Sequence, residues 1–134
     1  MKMQNGLSYG CAIFVLYVGL ALPTAVACGL KEGDVATVDK VLENSKENVV
    51  LIFCAKSGPY CKQYEQTVNE KACRLKRTTF LKIDIDDNPK LTEKFGVTGL
   101  PTTIIIKNFM EKKRVIGAAS PEKIESIFRL QDLQ

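Results

Sequence analysis

The apolar run Val49-Val50-Leu51-Ile52-Phe53-Cys54 runs almost directly into Gly58-Pro59-Tyr60-Cys61, and this join constrains the chain more than any other stretch. A short continuous hydrophobic segment reads as a strand buried on both faces, as in parallel sheets. Gly58 then Pro59 reads as the N-cap and first position of a helix. Proline has no N–H to lose there, and its fixed φ is already helical. A buried strand that feeds a helix points to an α/β arrangement.

The rest of the chain extends that pattern. Asp34 caps a helix that carries Val35, Val38, Val41 and Leu42 on one side. The helix after Gly58 has apolar positions at Cys61, Tyr64, Val68, Ala72 and Leu75, three or four apart. Thr79 to Ile85 reads as a second strand. Asn88-Pro89 starts a short helix that Gly96 ends. Val97 to Pro101 leads into a strand over Thr103 to Ile106, and a turn around Asn108 to Lys113 connects it to Arg114-Val115-Ile116 as an antiparallel hairpin. Ser120-Pro121 caps a last helix that buries Ile124, Ile127, Phe128 and Leu130. The order α-β-α-β-α-β-β-α describes one domain, with no internal repeat or linker.

The chain has 134 residues, and its first part reads as a targeting segment. From Met3 to Leu30 no side chain is charged. Lys2 is a short positive start, Ala12 to Leu22 an apolar core, and Pro23 breaks the run before the small residues Ala25-Val26-Ala27. This is the layout of a secretory signal peptide over residues 1–27, which leaves 28–134 as the exported domain. The uncharged stretch also has the length of a membrane span, about 20 residues, so an uncleaved anchor is an alternative. A second alternative is lipidation of Cys28, because Ala25-Val26-Ala27-Cys28 resembles a bacterial lipobox with Ala25 in place of the usual leucine. Membrane contact is expected only through these two routes. The expected location is the periplasm, the cell envelope or a secretory compartment.

Charge and composition exclude other classes. Net charge is +4 with acids and bases interleaved, so no nucleic-acid partner is expected. The densest basic cluster, Lys112-Lys113-Arg114, reads as a solvated turn. The chain has no histidine, which removes His-assisted nucleophilic catalysis and most transition-metal sites. Cys54, Cys61 and Cys73 are spaced too widely and unevenly for a zinc knuckle. No cofactor or metal is expected.

The order of elements and the local wording resemble the thioredoxin family over residues 34–130. Lys82-Ile83-Asp84-Ile85-Asp86-Asp87-Asn88-Pro89 is similar to that family's strand and helix start before its proline turn. Phe95-Gly96-Val97-Thr98-Gly99-Leu100-Pro101-Thr102 resembles its cis-proline segment, and Ile116-Gly117-Ala118 its last strand. The resemblance implies a thioredoxin fold, with a central mixed sheet flanked by helices. It also implies a site where Gly58-Pro59-Tyr60-Cys61 stands in place of Cys-x-x-Cys.

By that resemblance Gly58 occupies the position of the attacking cysteine and Cys61 that of the resolving one. Attack needs a thiolate, which a helix N-terminus favours through its unpaired N–H groups and positive dipole end. Gly58 keeps the helix start but offers no sulfur. For Cys61 the dipole favours a thiolate while its place on the apolar stripe disfavours one. Ser57 and Cys54 stand at the family's two tryptophan positions, and Ile52 at that of its buried aspartate. Cys54 and Cys61 point to one region and would form a bridge if their Cα atoms come within about 7 Å. Cys73 is a further candidate partner, for Cys28. Cys28, Cys54, Cys61 and Cys73 allow three complete pairings, and all remain open at this point. Pro101 is the retained element, and the backbone of Leu100 before it would hold an extended peptide, with Leu100, Tyr60 and Ser57 as the rim.

Two functions follow. One is an exported protein with a degenerate site, whose residual monothiol or weak thiol–disulfide exchange centres on Cys61 with Cys54 as a second candidate. The other is a non-catalytic module of a cell-envelope assembly, which binds a protein or peptide across Gly58, Pro59, Tyr60, Leu100 and Pro101. Efficient dithiol turnover is not expected of either.

Overall fold

The structure is a computed structural model and describes residues 28–44, 46 and 48–131. The expected signal segment, 1–27, lies outside the described residues. In chain order the elements are β1 (Lys31–Glu32), α1 (Val35–Asn44), β2 (Asn48–Cys54), α2 (Pro59–Ala72), β3 (Thr78–Asp84), α3 (Pro89–Lys94), β4 (Thr102–Lys107), β5 (Met110–Ile116) and α4 (Pro121–Leu130). They build one five-stranded sheet in the order β1-β3-β2-β4-β5. β1 and β2 run parallel to β3, while β4 is antiparallel to β2 and to β5. This is the mixed α/β sheet expected.

The central strand β2 is buried along its whole length, as the run of apolar residues demands. Because successive side chains leave a strand on opposite faces, Val50, Ile52 and Cys54 enter one core and Val49, Leu51 and Phe53 the other. On the first face they meet Tyr64 and Val68 of α2 and Ile124 and Phe128 of α4; on the second they meet Val38 of α1 and Leu91 of α3. Each large aliphatic or aromatic side chain so buried contributes roughly 1.5–3 kcal/mol. An edge-to-face contact between Phe80 and Phe128, with centroids 5.4 Å apart, locks β3 to α4.

The helix starts follow the expected chemistry. The Asp34 carboxylate accepts from the Thr37 N–H at 2.7 Å, and the Ser120 hydroxyl accepts from the Lys123 N–H at 3.3 Å. Gly58 precedes Pro59 as N-cap without a side-chain cap.

Three expectations are corrected. The hairpin turn is only Asn108 and Phe109, and both have left-handed backbones (φ 53° and 63°). Lys112, Lys113 and Arg114 therefore lie on the edge strand β5, where solvent tolerates charge, and not in a turn. Leu130 is 78% exposed. It stands two residues after the buried Phe128, which places it about 200° away around the helix. Finally, β1 has no apolar pattern to announce it. It exists because Lys31 and Glu32 pair with Leu81 and Lys82 of β3.

Candidate functional site

The register of β4 on β2 pairs Phe53 with Thr102 and so carries the Leu100–Pro101 turn to the end of β2, where Cys54 sits. The Leu100–Pro101 peptide is cis. It is held from both sides. The Gly117 N–H donates to the Pro101 carbonyl at 2.7 Å, and the Thr102 hydroxyl donates to the Gly99 carbonyl at 2.6 Å. A Cβ on Gly99 would stand 2.9 Å from Cγ2 of Ile116, so a larger residue here would have to displace that side chain.

The start of α2 completes the site. The Gly58 N–H donates to the Ala55 carbonyl at 3.0 Å, and its φ of −78° and ψ of 116° are open to any residue. The backbone thus does not demand glycine here; what glycine removes is a side chain. Pro59 and Tyr60 follow at the surface, with Tyr60 72% exposed, and Leu100 is 37% exposed. Pro101 itself is buried.

The two motif-side sulfurs do come together. Cys54 and Cys61 are both free thiols in one apolar cluster, 2% and 3% exposed, and hydrogen-bonded to each other. They are not bridged. The Cys54 thiol is pushed well above its ordinary range, first by burial, then by its hydrogen bond with Cys61 and the charge Cys61 would carry. The Glu65 carboxylate adds to that push, and the Lys82 ammonium opposes it. Ile52, fully buried on the same strand face, supplies no ionisable group. Tyr64 closes the cluster, and its hydroxyl shares a 2.7 Å hydrogen bond with the hydroxyl of Thr103. What remains is a buried pair of free cysteines beneath a helix start that presents no sulfur.

Glu65 and Lys82 are the participants that the sequence reading passed over. The Lys82 ammonium lies 3.2 Å from the Glu65 carboxylate and 2.8 Å from that of Glu32. The signal was legible: a lysine inside Phe80-Leu81-Lys82-Ile83 alternates onto the face of Phe80, and Glu65 stands one helical turn after Cys61.

Cys28 is elsewhere. At the far end of α2 it is disulfide-bonded to Cys73, the residue that caps the helix C-terminus. A sulfur in that bridge has no thiol to acylate, so the bridge and lipidation of Cys28 exclude each other, and the structure holds the bridge. Among the described residues, no helix is long and apolar enough to cross a membrane.

Comparison with known proteins agrees with this fold. The family model described as Thioredoxin matches residues 31–129. Thioredoxin H2 of Arabidopsis thaliana is 29% identical over 93 residues, covering 69% of this chain and 69% of that protein. Thioredoxin of Mycoplasma genitalium is 31% identical over 85 residues, 63% of this chain and 83% of the relative. Glutaredoxin-3 of Homo sapiens is 28% identical over 110 residues, which are 81% of this chain but only 33% of that longer protein. Among solved structures, the thioredoxin NaTrxh from Nicotiana alata superposes with a TM-score of 0.71 at 23% identity, over 77% of this chain and 92% of that one.

Proposed function

For a chain that belongs to the thioredoxin family, as this one does, we propose slow thiol–disulfide exchange through a single motif thiol, Cys61, in an exported protein. The observation that supports it is the lone cysteine in the first turn of α2, in one buried cluster with Cys54 at the end of β2, the end that pairs with Thr102 after Pro101. A partner polypeptide lies across Tyr60, Leu100 and Pro101. Its disulfide is attacked by the Cys61 thiolate, one partner sulfur leaves as thiolate, and a mixed disulfide forms on Cys61. Cys54, hydrogen-bonded to Cys61, is the resolving thiol: its attack on Cys61 releases the partner and leaves a Cys54–Cys61 bridge. Burial of both sulfurs and the raised Cys54 thiol make each step slow, because attack needs a thiolate and access.

The test is reduction of insulin disulfides by the folded protein. A low rate that disappears in Cys61→Ser, with an unchanged circular dichroism spectrum, is expected. No turnover from the wild-type protein under reducing conditions would overturn the reading and leave a peptide-binding module without chemistry. Mass spectrometry of the protein recovered from the export fraction tests processing after Ala27.

A further inference from the structure

The sulfurs that solvent reaches are not those of the motif. Cys28 is exposed and Cys73 half-buried, whereas Cys54 and Cys61 are 2% and 3% exposed. Thiol–disulfide exchange begins with a thiolate approaching a sulfur, so access comes first. We propose that the Cys28–Cys73 bridge is a second exchange site, taking a small anionic thiol or disulfide of the size and charge of glutathione. This proposal does not depend on Cys61.

Three features of the site carry it. The first is a cleft of about 360 Å³ lined by both cysteines, within the size range of small-molecule sites. Its charged lining residues are Lys31 and Lys76, with no carboxylate among them. Two cations beside a disulfide attract an anionic thiol and favour the thiolates that form there.

The second is the glycine between the bridge and β1. Gly29 has a left-handed φ of 96°, and a Cβ there would lie 2.2 Å from the Asn69 side-chain oxygen and 3.3 Å from the Cys73 sulfur. Only glycine brings this backbone so close while leaving the sulfur uncovered. The Leu30 N–H donates to that Asn69 oxygen at 2.9 Å, which holds the segment to α2 by a contact other than the bridge.

The third is that the bridge lies outside the core. Neither cysteine belongs to either buried cluster, and β1 is a two-residue edge strand with both residues exposed. Opening the bridge leaves both faces of the sheet packed.

The helix end sets the direction of attack. Cys73 caps α2, where the negative end of the helix dipole disfavours a thiolate. Cys28 is therefore the better leaving group. The incoming thiolate RS⁻ attacks the Cys73 sulfur, the Cys73–S–S–R bond forms, and the Cys28–Cys73 bond breaks with its electron pair on Cys28, which takes a proton from solvent. A second RS⁻ attacks the R sulfur and releases RSSR, and Cys73 is protonated in turn. Two thiols are oxidised to one disulfide and the bridge is reduced to two thiols; excess RSSR runs the sequence backwards.

The experiment equilibrates the full-chain oxidised protein in buffers of increasing glutathione to glutathione disulfide ratio. Each sample is acid-quenched, alkylated and digested, and the labelling of each cysteine is quantified. Cys28 and Cys73 should label together along one reversible curve, while Cys54 and Cys61 label only after denaturation. In Cys28→Ser, Cys73 should hold one glutathione. Lys76→Gln should slow reduction by glutathione roughly threefold and leave reduction by neutral 2-mercaptoethanol unchanged. A bridge that stays closed at every ratio until denaturant is added overturns the proposal, as does acylation found on Cys28. A glutathione adduct on Cys61 while the Cys28–Cys73 bridge stays closed also overturns it while supporting exchange at the motif, so the two readings fail separately. Equal effects of Lys76→Gln on both thiols overturn the assignment to an anionic partner.

Discussion

Gly58→Cys should place a second thiol at the start of α2, within bridging reach of Cys61. The structure supplies the magnitude. A Cβ built on Gly58 stands 3.5 Å from the Cβ of Cys61, at the near edge of the roughly 3.5–4.5 Å range that disulfides occupy. The backbone there is already in a region open to side chains, so the substitution carries no strain from φ. Its one tight contact is 3.3 Å to the Ala55 carbonyl, and loss of an N-cap glycine adds a few tenths of a kcal/mol, so the variant should fold within about 1 kcal/mol of the parent. At the helix start the dipole favours a thiolate by about 0.3–1 kcal/mol, or about 0.2–0.7 of a pH unit. That raises the thiolate fraction at pH 7 from about 3% to at most about 14% for an ordinary thiol. The assay is insulin reduction alongside thiol counting in denaturant, in a Cys54→Ser background so that Cys54 cannot supply the partner. Oxidation should remove the Cys61 thiol, and insulin turnover should exceed that of the parent. Turnover should stay below that of a complete dithiol site, because Ile52 supplies no carboxylate to take the proton. If the folded variant keeps Cys61 free under oxidising conditions, the claim that the helix start survives in working geometry is refuted.

Two further outcomes are expected. Phe109→Gly should stabilise the protein by about 0.5–1 kcal/mol, a rise of a few degrees in Tm, because a bulky side chain in the left-handed region costs about 1–2 kcal/mol and Phe109 is 68% exposed; a fall in Tm would show that its ring packs against something after all. Stability should be flat from pH 7 to about 8.5 and then decline. Burial, the largest cause in each case, raises the Cys54 and Tyr64 groups above their unfolded values of 9.0 and 10.0, so the folded protein keeps protons that the unfolded chain releases. Each such group removes stability at up to about 1.4 kcal/mol per pH unit above its unfolded value. Urea unfolding at pH 7 to 10.5 measures this, and Cys54→Ala should delay the decline; a slope that is unchanged in Cys54→Ala would refute the assignment.

Much of the architecture is written locally. The run from Val49 to Cys54 reads as a strand covered on both sides, and Asp34, Gly58-Pro59, Asn88-Pro89 and Ser120-Pro121 mark four helix starts through chemistry confined to neighbouring residues. That position 58 offers no thiol was equally legible, since a glycine carries no sulfur in any fold. Sequence periodicity likewise placed Cys61 on the buried stripe of α2. The antiparallel hairpin was legible, but its turn was drawn too long because positive φ at Asn108 and Phe109 accompanies the pairing of β4 with β5, and an aromatic residue announces no such turn. β1 was missed because Lys31 and Glu32 become a strand only through β3.

What the chain decides alone is which backbone segments form and which chemical groups exist, because propensity, capping and alternation act over a few residues. Which sulfurs meet is different. The pairing of Cys28 with Cys73, and the packing of Cys54 against Cys61 as reduced thiols, depend on distances between elements remote in sequence. Only the closed sheet sets those distances, and the same closure decides which sulfurs water can reach.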